Sequence, residues 1–175
     1  MAQSSYIAVV QPTNDQLPNG EGLLLADLQE GGHTISTELA ELIKAGKTDY
    51  AVNSVNEEFS LTMGYVRGDK GQEQLKRAVK AGEQLRVWII ETKKYEDGYH
   101  AVFGYVINEE YEKSFDDEDD TIEMTQKVKF NSADGVEKNI PPEWLNPSAA
   151  AETVEYESIG EYTGTYEERK ASTGA

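Results

Sequence analysis

The chain has 175 residues, no cysteine, and 33 acidic residues against 16 lysines and arginines, a formal charge of −17. This length suits one domain with a full core, and the missing thiols exclude disulfides and thiolate zinc sites. Such an acidic balance disfavours proteins that grip nucleic acid or anionic membranes through lysine and arginine.

Residues 1–11 lack a basic n-region and a long apolar run, which predicts no signal peptide, and no apolar stretch nears the length of a membrane span. Residues 6–10 form a short apolar run, suited to a strand or a docked arm. Residues 11–22 hold two prolines and two glycines and are predicted as a loop. After GLLLADL (22–28), Gly31-Gly32 predicts a turn, with residues 33–39 pairing back as an antiparallel strand. Leu39, Leu42 and Ile43 alternatively fit one or two turns of helix over 38–44. Residues 44–56 (KAGKTDYAVNSVN) are loop-like in composition, and a loop of this length is often functional.

Residues 58–66 (EFSLTMGYV) alternate, with Phe59, Leu61, Met63 and Tyr65 on one face. The spacing then predicts a helix over about 69–81. Asp69 with Gln72 gives a capping-box pattern, Leu75, Ala78 and Val79 an apolar stripe, and Gly82 a stop. Lys76, Arg77 and Lys80 fall late, where the helix dipole favours cations. Residues 84–92 (QLRVWIIET) are apolar on both faces at their centre, so Trp88 is expected in a strand covered on both sides. Asp97-Gly98 predicts a hairpin turn into residues 99–108, with Tyr99, Ala101, Phe103, Tyr105 and Ile107 sharing a face. The acid-rich run 109–120 is predicted as a solvated loop. In residues 121–130 (TIEMTQKVKF), Ile122, Met124, Val128 and Phe130 are expected to face inward, interrupted by Gln126. Residues 132–135 turn the chain, and beyond Ile140 the prolines and alanines mark the start of an arm.

Catalytic chemistry has no visible carrier in this sequence. His33 and His100 sit in no recognisable motif, and HExxH, GxSxG and GxxxxGK[ST] are absent. An EF-hand reading from Asp116 puts Thr121 at the glycine position and Lys127 at the final glutamate position, so it fails. No cofactor, metal or catalytic residue is expected.

Three consecutive segments together resemble the tail tube (major tail) proteins of long-tailed, non-contractile bacteriophages. They are NEEFSLTMGYV (56–66), DKGQEQLKRAVKAG (69–82) and QLRVWIIE (84–91). The positions that carry the resemblance are Leu61 and Gly64, then Leu75, Ala78 and Gly82, then Val87, Trp88 and Ile89; it covers about residues 20–140. It implies a mainly β fold with one flanking α-helix (α+β), a β-sandwich or partial barrel. It further implies hexameric rings, stacked into a tube in the virion tail, through which DNA passes without specific binding. An acidic lumen would repel phosphates and let DNA slide.

The expected organisation is an N-terminal arm and loop at 1–22, a β-sandwich core at 23–140 and a C-terminal arm at 141–175. Expected partners are further copies of the chain and other tail proteins, with no membrane. Candidate ring-stacking residues are Lys44, Asp49, Tyr50 and Asn53. Candidate arm contacts are Tyr156, Ile159, Tyr162 and Tyr166. Other readings are the tube of a contractile tail or secretion system, a monomeric or trimeric virion decoration protein, and a hydrolase using acidic residues.

Overall fold

The computed structural model describes residues 5–13, 22–145, 156–165 and 168. In chain order the elements are β1 (Tyr6–Pro12), β2 (Leu23–Leu24), β3 (Leu28–Lys44), β4 (Lys47–Gly64), α1 (Lys70–Ala81), β5 (Gln84–Tyr95), β6 (Gly98–Phe115), β7 (Asp120–Val128), β8 (Ala133–Glu137) and α2 (Pro142–Leu145). Antiparallel pairing joins the strands into one sheet in the order β2-β1-β5-β6-β7-β4-β3. The long β6 serves two partners along one edge: residues 99–103 pair with β8 and residues 106–115 with β7.

The sheet wraps around a single main core. Val10 of β1, Val87 of β5, Val106 of β6, Phe59, Leu61 and Met63 of β4, and Ile122 and Met124 of β7 meet there, with Leu75 and Ala78 of α1. This is the mainly β architecture with a flanking helix that the resemblance implies. The opposite face of β1 and β5 carries a second cluster of Ile7, Val9, Ile90 and Ala101, against which Trp88, Ile140 and Trp144 pack. Trp88 is therefore only partly buried, lying 5.0 Å from the Phe103 ring, and not in the two-sided core position expected of it.

The helix forms where the spacing places it. The Asp69 carboxylate accepts from the Gln72 N–H at 3.0 Å, and Gly82 closes the helix with φ 66°. Gln72 does not return its side chain to the cap. Its amide is buried, accepting from the Val66 N–H at 2.9 Å and donating to the carbonyls of Ala26 (3.0 Å) and Gly64 (2.7 Å). One side chain thus ties the start of α1 to the end of β4 and to the turn before β3.

Several expectations are overturned. Residues 44–56 are not a loop: β3 and β4 form one long hairpin whose turn is only Ala45 and Gly46, both at positive φ (50° and 74°). The helical alternative for 38–44 fails with it. Gly31 and Gly32 lie inside β3, which pairs with β4 and not with residues 22–28. In β6 the face toward the main core is Val102, Gly104 and Val106, leaving Tyr105 and Ile107 exposed. The acidic run is mostly strand, and its turn is only residues 116–119. Tyr65 lies beyond β4, exposed, with the Lys113 ammonium 3.5 Å from its ring centre. Phe130 follows the end of β7 at φ 61° and is 91% exposed, because the backbone there turns its side chain out of the row. Gln126, which interrupts that row, is fully buried and donates to the Asn108 side-chain oxygen at 2.8 Å.

Candidate assembly surfaces

The β3–β4 hairpin outruns the sheet that supports it. β4 pairs with β7 only from Glu58 to Gly64, so residues 35–57 continue as a ribbon of two strands, roughly 35 Å long. A lone two-stranded ribbon is marginal in water, and among the described residues nothing pairs with its edges.

Its register makes it amphipathic. Leu39 pairs with Val52 and Glu38 with Ser54, so Asn53 is an extra residue, a β-bulge. In β4 the bulge brings Val52 and Tyr50 onto the same face as Val55, although Val52 and Val55 are three residues apart. With Ile35, Leu39 and Ile43 of β3 they form a mainly apolar face, interrupted by Thr37, Glu41 and Thr48, and each of these six apolar side chains is exposed, Ile43 to 80%. That face continues the inward row of Phe59 and Leu61. The opposite face carries Thr34, Ser36, Glu38, Ser54, Asn56 and Glu58, and toward the tip Ala40, Leu42, Lys44, Lys47, Asp49 and Ala51. It runs on into Ser60 and Thr62 of β4 and Thr121, Glu123, Thr125 and Lys127 of β7. Lys127 reaches Glu58 and, at 3.4 Å, Glu109.

A buried carboxylate pins the ribbon's root. Glu57 accepts from the Ser132 hydroxyl and, at 3.1 Å, from the Ser132 N–H, while His33 Nε2 lies 2.9 Å away. The Ser132 hydroxyl holds the Glu57 carboxyl below the usual carboxylate range; burial opposes it, and His33 adds to the lowering. Serine and histidine both address the carboxylate, which ties β3, β4 and the β7–β8 connection together. Activation of the serine would instead require a Ser–His hydrogen bond. Beside this root a cleft of about 1190 Å³ opens between Gly31, Gly32, His33 and Leu61 on one wall and Ile89, Ala101, Val102 and Val136 on the other. His100 lies on its rim, 3.0 Å from Asp97 and stacked on Tyr95.

Of the sequence-derived candidates, Lys44 and Asp49 come together near the ribbon tip, 3.7 Å apart. Tyr50 stands on the apolar face and Asn53 is the bulge. Tyr156 and Ile159 are exposed, Tyr162 less so, and Tyr166 lies outside the described residues. Ile35, Val52 and Val55 escaped the sequence reading, and Leu39 and Ile43 entered it only as a helical face, although an apolar spacing that slips from two to three is the signal of a bulged strand.

No protein-family model matches the chain. A protein of Staphylococcus phage phiMR11, named as a tail protein, is 54% identical over 179 residues, covering 100% of this chain and 96% of the relative. The chain belongs to this family of phage tail proteins. Its fold is that of tail tubes. The SPP1 tail tube superposes with a TM-score of 0.72 at 24% identity over 94% of each chain. The tail of a gene transfer agent particle, refined with C6 symmetry, gives 0.55 at 12% identity over 71% of this chain and 92% of that one. The six-fold symmetrised baseplate of the anti-feeding prophage gives 0.57 at 10% identity over 78% and 95%.

Proposed function

We propose that this tail protein is the structural subunit of a phage tail tube, with no enzymatic role. Copies join into six-membered rings that stack, together with other tail proteins, into a conduit in the virion tail for DNA. The observation that carries this reading is the ribbon's apolar face. Burying a large aliphatic or aromatic side chain is worth about 1.5–3 kcal/mol, and a lone subunit leaves Ile35, Leu39, Ile43, Tyr50, Val52 and Val55 in water. Neighbouring copies that cover that face and complete the ribbon's edges recover that energy. Lys44, Asp49, Tyr50 and Asn53 then sit where copies meet, and Tyr156, Ile159, Tyr162 and Tyr166 serve as arm contacts. Six-fold rings are supported by the six-fold symmetry named for two structures of the same fold.

The polar face of β3, β4 and β7 suits the lumen. Hydroxyls and carboxylates dominate it, and the ammonium of Lys127 is engaged by Glu58 and Glu109. Away from the ribbon tip, where Lys44 and Lys47 lie, such a wall repels phosphate and keeps Lys127 engaged, so DNA slides through without specific binding; no membrane takes part.

Purified protein, concentrated and imaged in negative stain, is expected to show rings and tubes. A light-scattering mass fixed at monomer or trimer under every condition would instead favour a decoration protein.

A further inference from the structure

We propose that the exposed basic face of α1 docks the acidic β6–β7 turn of a second copy of this chain, in a head-to-tail contact. This inference rests on the self-assembly reading. Lys76, Arg77 and Lys80 project from one side of the helix and line a shallow groove of about 440 Å³ with Glu73 and Ala81. Among the described residues, none of the three cations forms a salt bridge. The helix dipole accounts for Lys80 in the last turn. Lys76 and Arg77 lie a turn earlier, in a chain whose acids outnumber its cations about two to one.

The complementary surface lies at the far end of the same molecule. Five consecutive acids, Asp116 to Asp120, follow the end of β6. The Asp116 carboxylate shapes the turn by accepting from the N–H groups of Glu118 (2.8 Å) and Asp119 (2.7 Å), leaving Asp117, Glu118 and Asp119 exposed. The topology sets the two surfaces apart. The start of α1 lies at this turn's end of the sheet, because the Tyr65 N–H donates to the Asp120 carbonyl and Gln72 holds Gly64. The helix then runs back to β5, which begins opposite Ile107, about 27 Å of strand from Phe115. The basic turns of α1 therefore sit toward one end and the acidic turn at the other. Opposite charge at opposite ends makes a heterologous contact, the kind that propagates a stack or closes a ring. Like-charged ends would repel, so the same feature rejects head-to-head docking.

Charge reversal tests this in the full chain, with assembly followed by light scattering and electron microscopy. The helix reversal is Lys76→Glu, Arg77→Glu and Lys80→Glu; the turn reversal is Asp117→Lys, Glu118→Lys and Asp119→Lys, with Asp116 kept. Each alone is expected to raise the concentration needed for assembly roughly tenfold or more. Both reversals in one chain are expected to restore it to within about threefold of the unmodified protein. Thermal melts confirm folding; the milder set Lys76→Gln, Arg77→Gln and Lys80→Gln replaces a helix reversal that unfolds, and Asp117→Asn, Glu118→Gln and Asp119→Asn a turn reversal that does. Assembly unaffected by either reversal, or no recovery when both are combined in a folded chain, overturns the contact while leaving the tube reading intact. Binding of a labelled DNA duplex that the helix reversal abolishes, with assembly unchanged, overturns it in favour of nucleic acid. An unmodified protein that never assembles overturns both readings.

Discussion

Gln72 carries a larger structural load than its place in a helix first turn suggests. Its amide satisfies the Val66 N–H and the carbonyls of Ala26 and Gly64 at once, in a buried position. Gln72→Ala leaves all three unsatisfied and is expected to cost about 2–4 kcal/mol, read as a lower urea midpoint with an unchanged slope. The near-isosteric Gln72→Glu retains an acceptor for the Val66 N–H but loses both donors, so it should not rescue. Glu57 is the second residue whose role is set by its partners. Its folded carboxyl titrates below the ordinary value of 4.5, chiefly because Ser132 donates to it. The stabilisation is thus fully present above the unfolded value and is lost as pH falls through the lowered folded one. Chemical denaturation across a range of acidic to neutral pH should show that loss, and Glu57→Gln should flatten that part of the profile. The sequence displayed Asp69 and Gln72 as a capping pair, and the Asp69 half holds. The pairing of Glu57 with Ser132 links positions 75 residues apart and has no local signature.

At the scale of elements, helix α1 was legible from its period between clear stops, and strand β5 with the β5–β6 hairpin from an apolar run and the Asp97-Gly98 turn. The β3–β4 ribbon was hidden by its own construction. Leu39, Leu42 and Ile43 imitate helical spacing, Gly31-Gly32 imitates a turn, and the real turn is Ala45-Gly46 rather than a strong hairpin dipeptide. The bulge at Asn53 then breaks the alternation that would have marked β4. The ribbon's exposed apolar face leads to a separation of effects. Ile43→Glu with Val52→Glu is expected to leave the thermal melt within about 0.5 kcal/mol of the unmodified subunit, as for surface changes, while abolishing ring formation. Parallel loss of the cooperative melt would place this face inside the subunit's own core. Trp88→Ala belongs to the sheet's second cluster. Because Trp88 is only partly buried, its cost is expected near the lower end of about 3–5 kcal/mol, measured by denaturant titration.

For the whole molecule, acidity and polarity act together. Net charge is plain from composition, but only the pairing of β4 with β7 puts Glu58, Glu123, Ser60 and Thr125 on one continuous surface, opposite the core. A tube needs its subunits to be folded before they meet and adhesive only where neighbours arrive. The main core and the Trp88 cluster meet the first need, and Ile140 and Trp144 extend that cluster to the last turn before the C-terminal segment. Tyr156 and Ile159 lie beyond it with their side chains in solvent. A chain truncated after residue 147 keeps every member of both clusters, so we expect a single cooperative unfolding transition close to that of the full chain. The same truncation removes Tyr156, Ile159, Tyr162 and Tyr166 and is expected to leave separate rings where the full chain forms tubes. Calorimetry and negative-stain images of the same preparation read the two effects independently. Loss of the cooperative transition would assign the segment to the subunit's fold, and full-length tubes from the truncated chain would remove it from the stacking contact.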